Sequence, residues 1–299
     1  MVHVVLLVVQ VLLASLAISA KLALEELPPA GLVLLRVVGA ALTLGLLLRR
    51  RLLVLQSARD GWRLALYSLL GVVLNQLLYM QGLSYTTAIN ANLLITTVPV
   101  FTLAIALLLR RERATRAGIA GLTLSLVGAL VLIGPGGVDL GPRYALGNAM
   151  ILLNALSYAA YLVLSKDMLR RYPPLTVTAW VFLFGVVGVL PVGLPALLGV
   201  DLIALSTRTW LLVVFIVLVP TAAAYGLSLW ALQRADSSVV AMYVYVQPLV
   251  TALIAPGVLG ERIGWEAVVA AVAIFGGVAL VTLSRRERSP REALRETRV

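Results

Sequence analysis

Hydrophobic residues follow one another in long runs, and short segments between the runs hold most of the charged residues. A helix that crosses the hydrocarbon layer of a membrane needs about 20 mostly apolar residues. Runs of this kind predict ten spanning helices, at residues 4–24, 30–48, 62–82, 87–109, 115–134, 144–165, 174–197, 209–231, 238–258 and 265–284. Prolines, which favour the first turn of a helix, stand at Pro29 and Pro174, where two of the runs begin.

The pattern of the second half repeats that of the first half. A shift of 149 positions places residues 71–133 on residues 220–282 without a gap and brings Pro99 onto Pro248. Five helices per half is an odd number, so the two halves must have opposite orientations in the membrane. Inverted repeats are a common design of transporters, whose substrates bind where the repeats meet. The sequence therefore predicts an all-α membrane protein with ten transmembrane helices in two inverted five-helix repeats.

The glycine-rich segment between the fifth and sixth runs marks the boundary between the repeats. We expect a first five-helix repeat at residues 1–134, an external linker at 135–143, a second five-helix repeat at 144–284 and a basic cytoplasmic tail at 285–299.

Composition agrees with a membrane protein and excludes several kinds of chemistry. Hydrophobic residues make up 61% of the chain and charged residues 12%, against about 25% charged residues in soluble proteins. Cysteine is absent and His3 is the single histidine, so disulfides, thiolate metal sites and histidine catalysis are excluded. The sequence shows no phosphate-binding or dinucleotide-binding motif. We therefore expect no enzymatic activity, no cofactor and no metal site.

The net charge of +11 indicates orientation in the membrane and does not indicate nucleic-acid binding, because the basic residues are not interleaved with aromatic residues. If the N-terminus is cytoplasmic, cytoplasmic segments hold all but five of the 24 basic residues; the five are Lys21, Arg36, Arg143, Arg208 and Arg262. The positive-inside rule then places both termini in the cytoplasm. We expect a multi-pass protein of the inner (plasma) membrane, present in the lipid bilayer as a monomer or weak homo-oligomer.

Several short motifs, taken together with the duplication, resemble the EamA-like ten-helix members of the drug/metabolite transporter superfamily. The resemblance extends from about residue 5 to residue 284. The residues that carry it are Pro28, Pro29 and Arg36; Ala88, Ala91 and Pro99; Arg111, Glu112, Arg113 and Gly128; and, in the second half, Ser237, Pro248, Gly260, Glu261, Arg262 and Gly277. The resemblance implies a carrier that moves small metabolites, often amino acids, through a central cavity.

The first predicted span differs from that of the four-helix multidrug transporters in the same superfamily. Those proteins exchange protons for cationic drugs through a glutamate in the first helix, whereas this span offers Gln10, Ser15 and Ser19 and no acid. Proton-coupled export of cationic drugs by that mechanism is therefore not expected.

Polar residues inside the apolar runs are the candidate substrate-binding residues, because such groups need polar partners inside a membrane. Several lie four residues apart and so share one helix face. The candidates are Gln10, Asn75, Tyr79, Asn92, Thr96, Asn154, Tyr158, Tyr161, Thr221, Tyr225 and Tyr245. Two interpretations stay open: these side chains line a polar cavity, or they form hydrogen bonds between helices.

Two prolines and one arginine within the runs suggest mechanical or electrostatic roles. Pro99 and Pro248 lie at equivalent positions in the two repeats and each removes a backbone donor, which predicts either a fixed kink or a gating hinge. Arg36 is the most costly residue inside a span. In a structural role it either extends towards the outer surface or pairs with Glu25 or Glu26. In a functional role it attracts a carboxylate or takes part in external gating.

The sequence thus predicts a permease that works by alternating access on small polar metabolites, with amino-acid export as the first candidate activity. Exchange of nucleobases, sugars or other metabolites is the alternative within transport. Phosphorylated substrates are disfavoured because only Arg36 and Lys21 could neutralise them inside the spans. A non-transporting membrane assembly protein is the alternative outside transport. Glu112 is expected to pair with Arg113 and to neutralise a helix end.

Overall fold

The computed structural model describes residues 1–48, 54–86, 88–133, 141–250 and 265–286, and the side chain of Asn92 lies outside this description. Regular structure in these ranges is helical throughout. The helices are α1 Val2–Ala23, α2 Pro29–Leu47, α3 Ala58–Ser68, α4 Asn75–Tyr85, α5 Ala88–Ile95, α6 Val98–Leu108, α7 Arg116–Ile133, α8 Ala145–Leu169, α9 Pro174–Leu198, α10 Thr207–Ile216, α11 Ala224–Leu232, α12 Ser237–Met242 and α13 Trp265–Arg286.

Six helical segments within the described ranges are long and apolar enough to cross a membrane. They are Val2–Ala23, Pro29–Leu47, Ala58–Tyr85, Pro142–Leu169, Pro174–Leu198 and Thr207–Leu232. Four shorter apolar helices are Leu93–Leu108, Arg116–Val131, Ser237–Val250 and Val268–Val281. The described ranges therefore form an all-helical membrane fold. The number of ten spans and the cytoplasmic location of the termini stay predictions.

The ends of several helices follow from local sequence. Pro29 and Pro174 occupy the first positions of α2 and α9, where a missing backbone donor costs nothing. Ser57 and Ser206 precede α3 and α10, and each side chain accepts a hydrogen bond from a backbone amide in the first turn. Such caps satisfy amides that have no partner within the helix.

Two of the long spans contain a turn wider than an α-helical turn. The π-helical residues are Leu69–Leu74, between α3 and α4, and Val217–Ala223, between α10 and α11. Shifting the first segment by 149 positions gives residues 218–223, so the wide turns lie at equivalent places in the two halves. Wide turns disturb the regular helical hydrogen bonds, and the carbonyl of Leu70 accepts a hydrogen bond from the Ser157 hydroxyl at 2.7 Å.

Helical breaks also lie at equivalent places in the two halves. The predicted continuous helix 87–109 is interrupted by a turn at Thr96, and a 3₁₀ turn, Tyr243–Tyr245, follows α12. Pro99 therefore stands in the first turn of α6, and Pro248 follows the 3₁₀ turn in the same way. The expectation that Pro99 removes a donor in mid-helix is wrong, because the first turn of a helix needs no such donor. Whether these breaks act as hinges stays a prediction.

Helices α7 and α13 cross at small residues. A Cβ atom at Gly121 would meet the carbonyl of Gly277, and a Cβ atom at Gly128 would lie 3.0 Å from the carbonyl of Ala270. Small residues allow membrane helices to approach closely enough for backbone contact. The 149-residue shift that relates the two halves places Gly121 on Ala270 and Gly128 on Gly277, so the first pair corresponds to the second. The contact is thus reciprocal, as expected when two equivalent helices cross about a two-fold axis.

The centre of this crossing is marked by one hydrogen bond. The Ser125 hydroxyl donates to the carbonyl of Ile274 at 3.2 Å, and these residues are themselves 149 positions apart. An equivalent pair in mutual contact must lie close to the axis that relates the two helices. This geometry supports the predicted duplication, while the division of the chain into two inverted repeats stays a proposal.

Loops and helix ends on one side of the molecule are joined by polar contacts. These contacts are Arg111–Asp167 at 2.8 Å, Lys166–Asp236 at 3.6 Å, Arg171–Asp60 at 3.2 Å, the Tyr172 hydroxyl to Asp60 at 2.8 Å, and the backbone amide of Ser238 to Glu112 at 3.2 Å. Glu112 thus accepts from the first turn of α12, which agrees with the expected neutralisation of a helix end. Met1, Pro173 and Trp230 line one groove, so the N-terminus lies at this same end.

The opposite end contains the two glutamates that the sequence offered as partners of Arg36. The Glu26 carboxylate accepts hydrogen bonds from the Ser206 backbone amide at 2.8 Å and from the Ser206 hydroxyl at 2.6 Å. Glu25 lies 3.8 Å from Arg208. The expected pairing of Arg36 with these acids is therefore wrong, and Arg36 lies elsewhere.

The contact of Glu26 with Ser206 is expected to depend on pH. Hydrogen bonds from Ser206 lower the pKa of Glu26 below its ordinary value of 4.5. A lowered folded-state pKa stabilises the protein above the ordinary pKa, and this stabilisation is lost as the pH falls through the lowered value. Glu26→Gln should thus reduce the melting temperature in detergent at neutral pH and match the wild type in acid. Glu25→Gln is the control. If both variants lower the melting temperature equally at neutral pH, the stabilisation does not come from the hydrogen bonds between Glu26 and Ser206.

Candidate functional site

A cavity lies in the interior of the described helices, between elements of both halves. The residues that line it are Leu13, Leu16, Arg36, Asn75, Gln76, Tyr79, Ile95, Val98, Asn154, Tyr158, Tyr225, Val244 and Gln247. About 90 Å³ is open to the centres of water-sized molecules, whereas one water needs roughly 10–15 Å³ on this measure. The cavity therefore has room for several waters or one small solute, and its mixture of apolar walls and a few polar groups is typical of ligand sites.

Arg36 is the one charged residue among the described residues that line the cavity. α2 carries it into the interior, where it is only 2% exposed. Its Nε donates to the Thr221 hydroxyl at 3.2 Å, and that hydroxyl donates to the carbonyl of Ile216 at 2.7 Å within the second wide turn. The wide turn of the second half thus holds the arginine of the first half in position.

Tyr225, in the first turn of α11, reaches across the cavity to the first wide turn and to the start of α4. Its hydroxyl lies 2.9 Å from Oδ1 of Asn75 and 3.1 Å from the carbonyl of Gly71, so its one hydrogen is shared between two acceptors. The Asn154 amide donates to the carbonyl of Asn75. These bonds orient the polar groups of α4, α8 and α11 towards the same space.

Gly71 allows Tyr161 to lie behind this polar layer. A Cβ atom at Gly71 would come within 2.5 Å of the Tyr161 ring. The Tyr161 ring in turn packs against that of Tyr158, with their centroids 6.1 Å apart. A glycine in the wide turn is therefore required for the cavity wall to close around Tyr158.

The structure brings six of the predicted side chains to the cavity and places the others around it. Those that line it are Arg36, Asn75, Tyr79, Asn154, Tyr158 and Tyr225. Gln10 accepts a hydrogen bond from Gln247, Thr96 donates to the carbonyl of Leu93, and Thr221 holds Arg36. Tyr161 and Tyr245 are buried and are not among the described lining residues. The side chain of Asn92 lies outside the described part of the chain, and binding of a substrate by any of these residues stays a prediction.

Sequence reasoning missed Gln247 and all the apolar lining residues, and it did not include Gln76 among its site residues. Three pairs of lining residues are related by the 149-residue shift: Gln76 and Tyr225, Ile95 and Val244, and Val98 and Gln247. Applying the shift to the polar candidates would have identified one missed residue, because Tyr225 leads to Gln76. Gln247 and Val98 were both absent from the candidates, so the shift could not have identified either of them. The cavity thus lies where equivalent parts of the two halves meet.

Apolar helices of span length around an interior cavity define a class of protein: a multi-pass membrane protein whose cavity is typical of transporters. The profile of the EamA-like transporter family matches residues 1–134 and 145–283. The chain belongs to this family. Its predicted membership and its location in the cell membrane are thereby confirmed.

Individual relatives and one solved structure agree with this assignment. The chain is 28% identical over 287 residues to an uncharacterized transporter of Archaeoglobus fulgidus, covering 95% of this chain and 98% of that protein. It is 30% identical over 238 residues to a probable terminal-alkyne amino-acid exporter of Streptantibioticus cattleyicolor, covering 78% and 77% of the two chains. A crystal structure with 21% sequence identity superposes with a TM-score of 0.78 over 96% of this chain and 98% of that chain, which shows the same fold.

Proposed function

We propose that this protein is a permease that exports amino acids or related small polar metabolites by alternating access, with the cavity as its binding site. The observation that carries the proposal is the position of the cavity, whose lining includes three pairs of equivalent residues from the two halves. Substrate sites at the interface of repeats are what alternating access requires, because a small relative rotation then exposes the same site to either side. The relative described as a probable amino-acid exporter supports the substrate class.

The helical irregularities support the same mechanism. Wide turns and breaks lie at equivalent places in the two halves and next to the cavity. Non-helical backbone inside a membrane is tolerated where it is enclosed by protein or lines a cavity. Such places weaken a helix locally and allow its two ends to change direction independently. We infer that rocking of the halves 1–134 and 144–284 is accommodated at these points.

Counterflow in proteoliposomes tests the proposal. Vesicles containing the purified protein are loaded with unlabelled amino acids, nucleobases or sugars, and labelled solute is added outside at neutral pH without an ion gradient. Accumulation driven by amino acids alone supports the proposal. Accumulation driven by nucleobases or sugars would contradict the substrate class, and the absence of counterflow for every solute would contradict gradient-free carrier activity.

Tyr79→Ala is expected to lower this counterflow by at least tenfold, the equivalent of about 1.4 kcal/mol of lost interaction. The reason is that Tyr79 lines the cavity and supplies both a ring and a hydroxyl. Tyr85, on the same helix, is 48% exposed and outside the lining, so Tyr85→Ala is the matched control. Equal flux in both variants, at equal amounts of inserted protein, would remove Tyr79 from the site.

A further inference from the structure

Arg36 is a buried cation that has no anionic partner among the described residues. It is 2% exposed, and none of the ion pairs between described residues includes it. No aspartate or glutamate is among the described residues that line the cavity. The described acids occupy helix ends and loops, where Glu26, Asp60 and Glu112 have partners of their own.

An unpaired guanidinium inside a membrane protein is costly. Removing such a charge from water costs several kcal/mol after relaxation, and pairing with an anion recovers part of that cost. The bond from Nε to Thr221 engages one of five N–H donors. The terminal nitrogens form no hydrogen bond with a described residue, and the side chain borders the cavity. The arginine therefore presents a charged, incompletely satisfied donor surface to whatever occupies that space.

We propose that Arg36 binds the carboxylate of the transported solute and so makes a single carboxylate the obligatory group of the substrate. This inference rests on the proposed function and narrows its substrate class. Guanidinium groups match carboxylates in shape and can donate two parallel hydrogen bonds. Thr221 acts as a positioning residue, because its contact with Nε fixes the plane of the guanidinium.

The rest of the cavity defines what accompanies the carboxylate. The other polar groups of the described lining are neutral amides and hydroxyls, so a substrate ammonium would meet only uncharged oxygen atoms and the faces of Tyr79, Tyr158 and Tyr225. Apolar residues such as Leu13 and Val98 complete the wall. One arginine balances one negative charge and leaves a doubly charged phosphate uncompensated. The site therefore suits small monocarboxylates with an apolar body, and the amino group of an amino acid contributes less than its carboxylate.

The test compares three forms of the same solute. Alanine, leucine and phenylalanine are each tested with the corresponding amide, which lacks the carboxylate, and with the acid that lacks the amino group. Binding is measured as thermal stabilisation of the purified protein, since a ligand that binds the folded state raises its melting temperature. Counterflow is measured in parallel.

For at least one solute of the panel, the amide should bind at least tenfold more weakly than the amino acid, and the acid without the amino group should bind within about tenfold of it. Arg36→Gln should abolish this discrimination between amino acid and amide. Arg36→Lys should retain part of it, because lysine keeps the positive charge but cannot donate two parallel hydrogen bonds to a carboxylate. Arg208→Gln, which removes one exposed arginine, is the matched control. The melting temperature of each variant without ligand shows that it is folded.

Three outcomes would overturn the inference: equal binding of amides and amino acids, unchanged discrimination in Arg36→Gln, or no stabilisation by any carboxylate of the panel. Failure of the proposed function gives a different result. Carboxylates would then stabilise the wild type and depend on Arg36, but no solute would produce counterflow. Thermal stabilisation thus tests the role of Arg36, and counterflow tests the proposed transport activity.

Discussion

Gly277→Leu is expected to prevent stable packing of α7 against α13 and to yield little folded protein. A Cβ atom at Gly277 would meet the carbonyl of Gly121 and the hydroxyl of Ser125. Backbone atoms cannot move aside as a flexible side chain can, so the helices must separate along their whole contact. Inserting atoms into a packed core usually costs about 1–3 kcal/mol, and contact with backbone places this variant at the upper end or beyond.

The adjacent glycine provides a matched control for this prediction. Gly276 is exposed, and a Cβ atom there would make only an ordinary contact, at 3.7 Å, with Leu124. Gly276→Leu adds the same atoms to the same helix and should purify as a monodisperse protein with a nearly unchanged melting temperature in detergent. The decisive quantity is the difference between the two melting temperatures. If the variants are equally stable, the close crossing of α7 and α13 is not important for folding.

A covalent link between positions 112 and 238 is expected to stop transport. Glu112 joins the loop after α6 to the first turn of α12, which contains Ser238, at the end of the molecule that carries the N-terminus. Alternating access requires one end to open in each cycle. Because the chain contains no cysteine, Glu112→Cys with Ser238→Cys introduces the only two thiols. Treatment with an oxidant or a short bis-thiol reagent should reduce counterflow to background.

Reversal and single variants make this experiment specific. A reductant should restore flux after disulfide formation, which separates the effect of the link from the loss of the Glu112 contact. Each single-cysteine variant should be insensitive to the oxidant. If the cross-linked protein still shows full counterflow, Glu112 and Ser238 do not separate during transport. The mechanism of rocking halves would then be contradicted.

The helical fold could be predicted because the membrane imposes it on the sequence. Apolar runs of span length have few alternatives to a helix in lipid, and the predicted runs lie close to the observed helices. Hydropathy indicates which residues are apolar and does not indicate which backbone groups form hydrogen bonds. The wide turn Leu69–Leu74 therefore cannot be predicted from it. For the same reason Pro99 was assigned to the middle of a helix, although it stands in the first turn of a new one.

The candidate site was only partly predictable, for a related reason. Asn75 and Tyr79 were identified because polar residues are conspicuous in an apolar run. Ile95 and Val244 also line the cavity, but an apolar residue that faces a cavity looks the same in sequence as one that faces lipid. The partner of Arg36 lies 185 residues away, so no local pattern could identify it.

The two π-helical segments also determine where these spans tolerate a change in length. Each residue added to or removed from an α-helix turns everything beyond it by about 100°, which would carry Tyr79 or Tyr225 out of the cavity. A π-helical turn differs because it accommodates an additional residue within a single turn. Removing one residue from Leu69–Leu74 or Val217–Ala223 converts that turn to an ordinary α-helical turn and leaves both flanking helices in phase. Single-residue insertions and deletions among relatives should therefore concentrate at these two segments, on either side of the cavity.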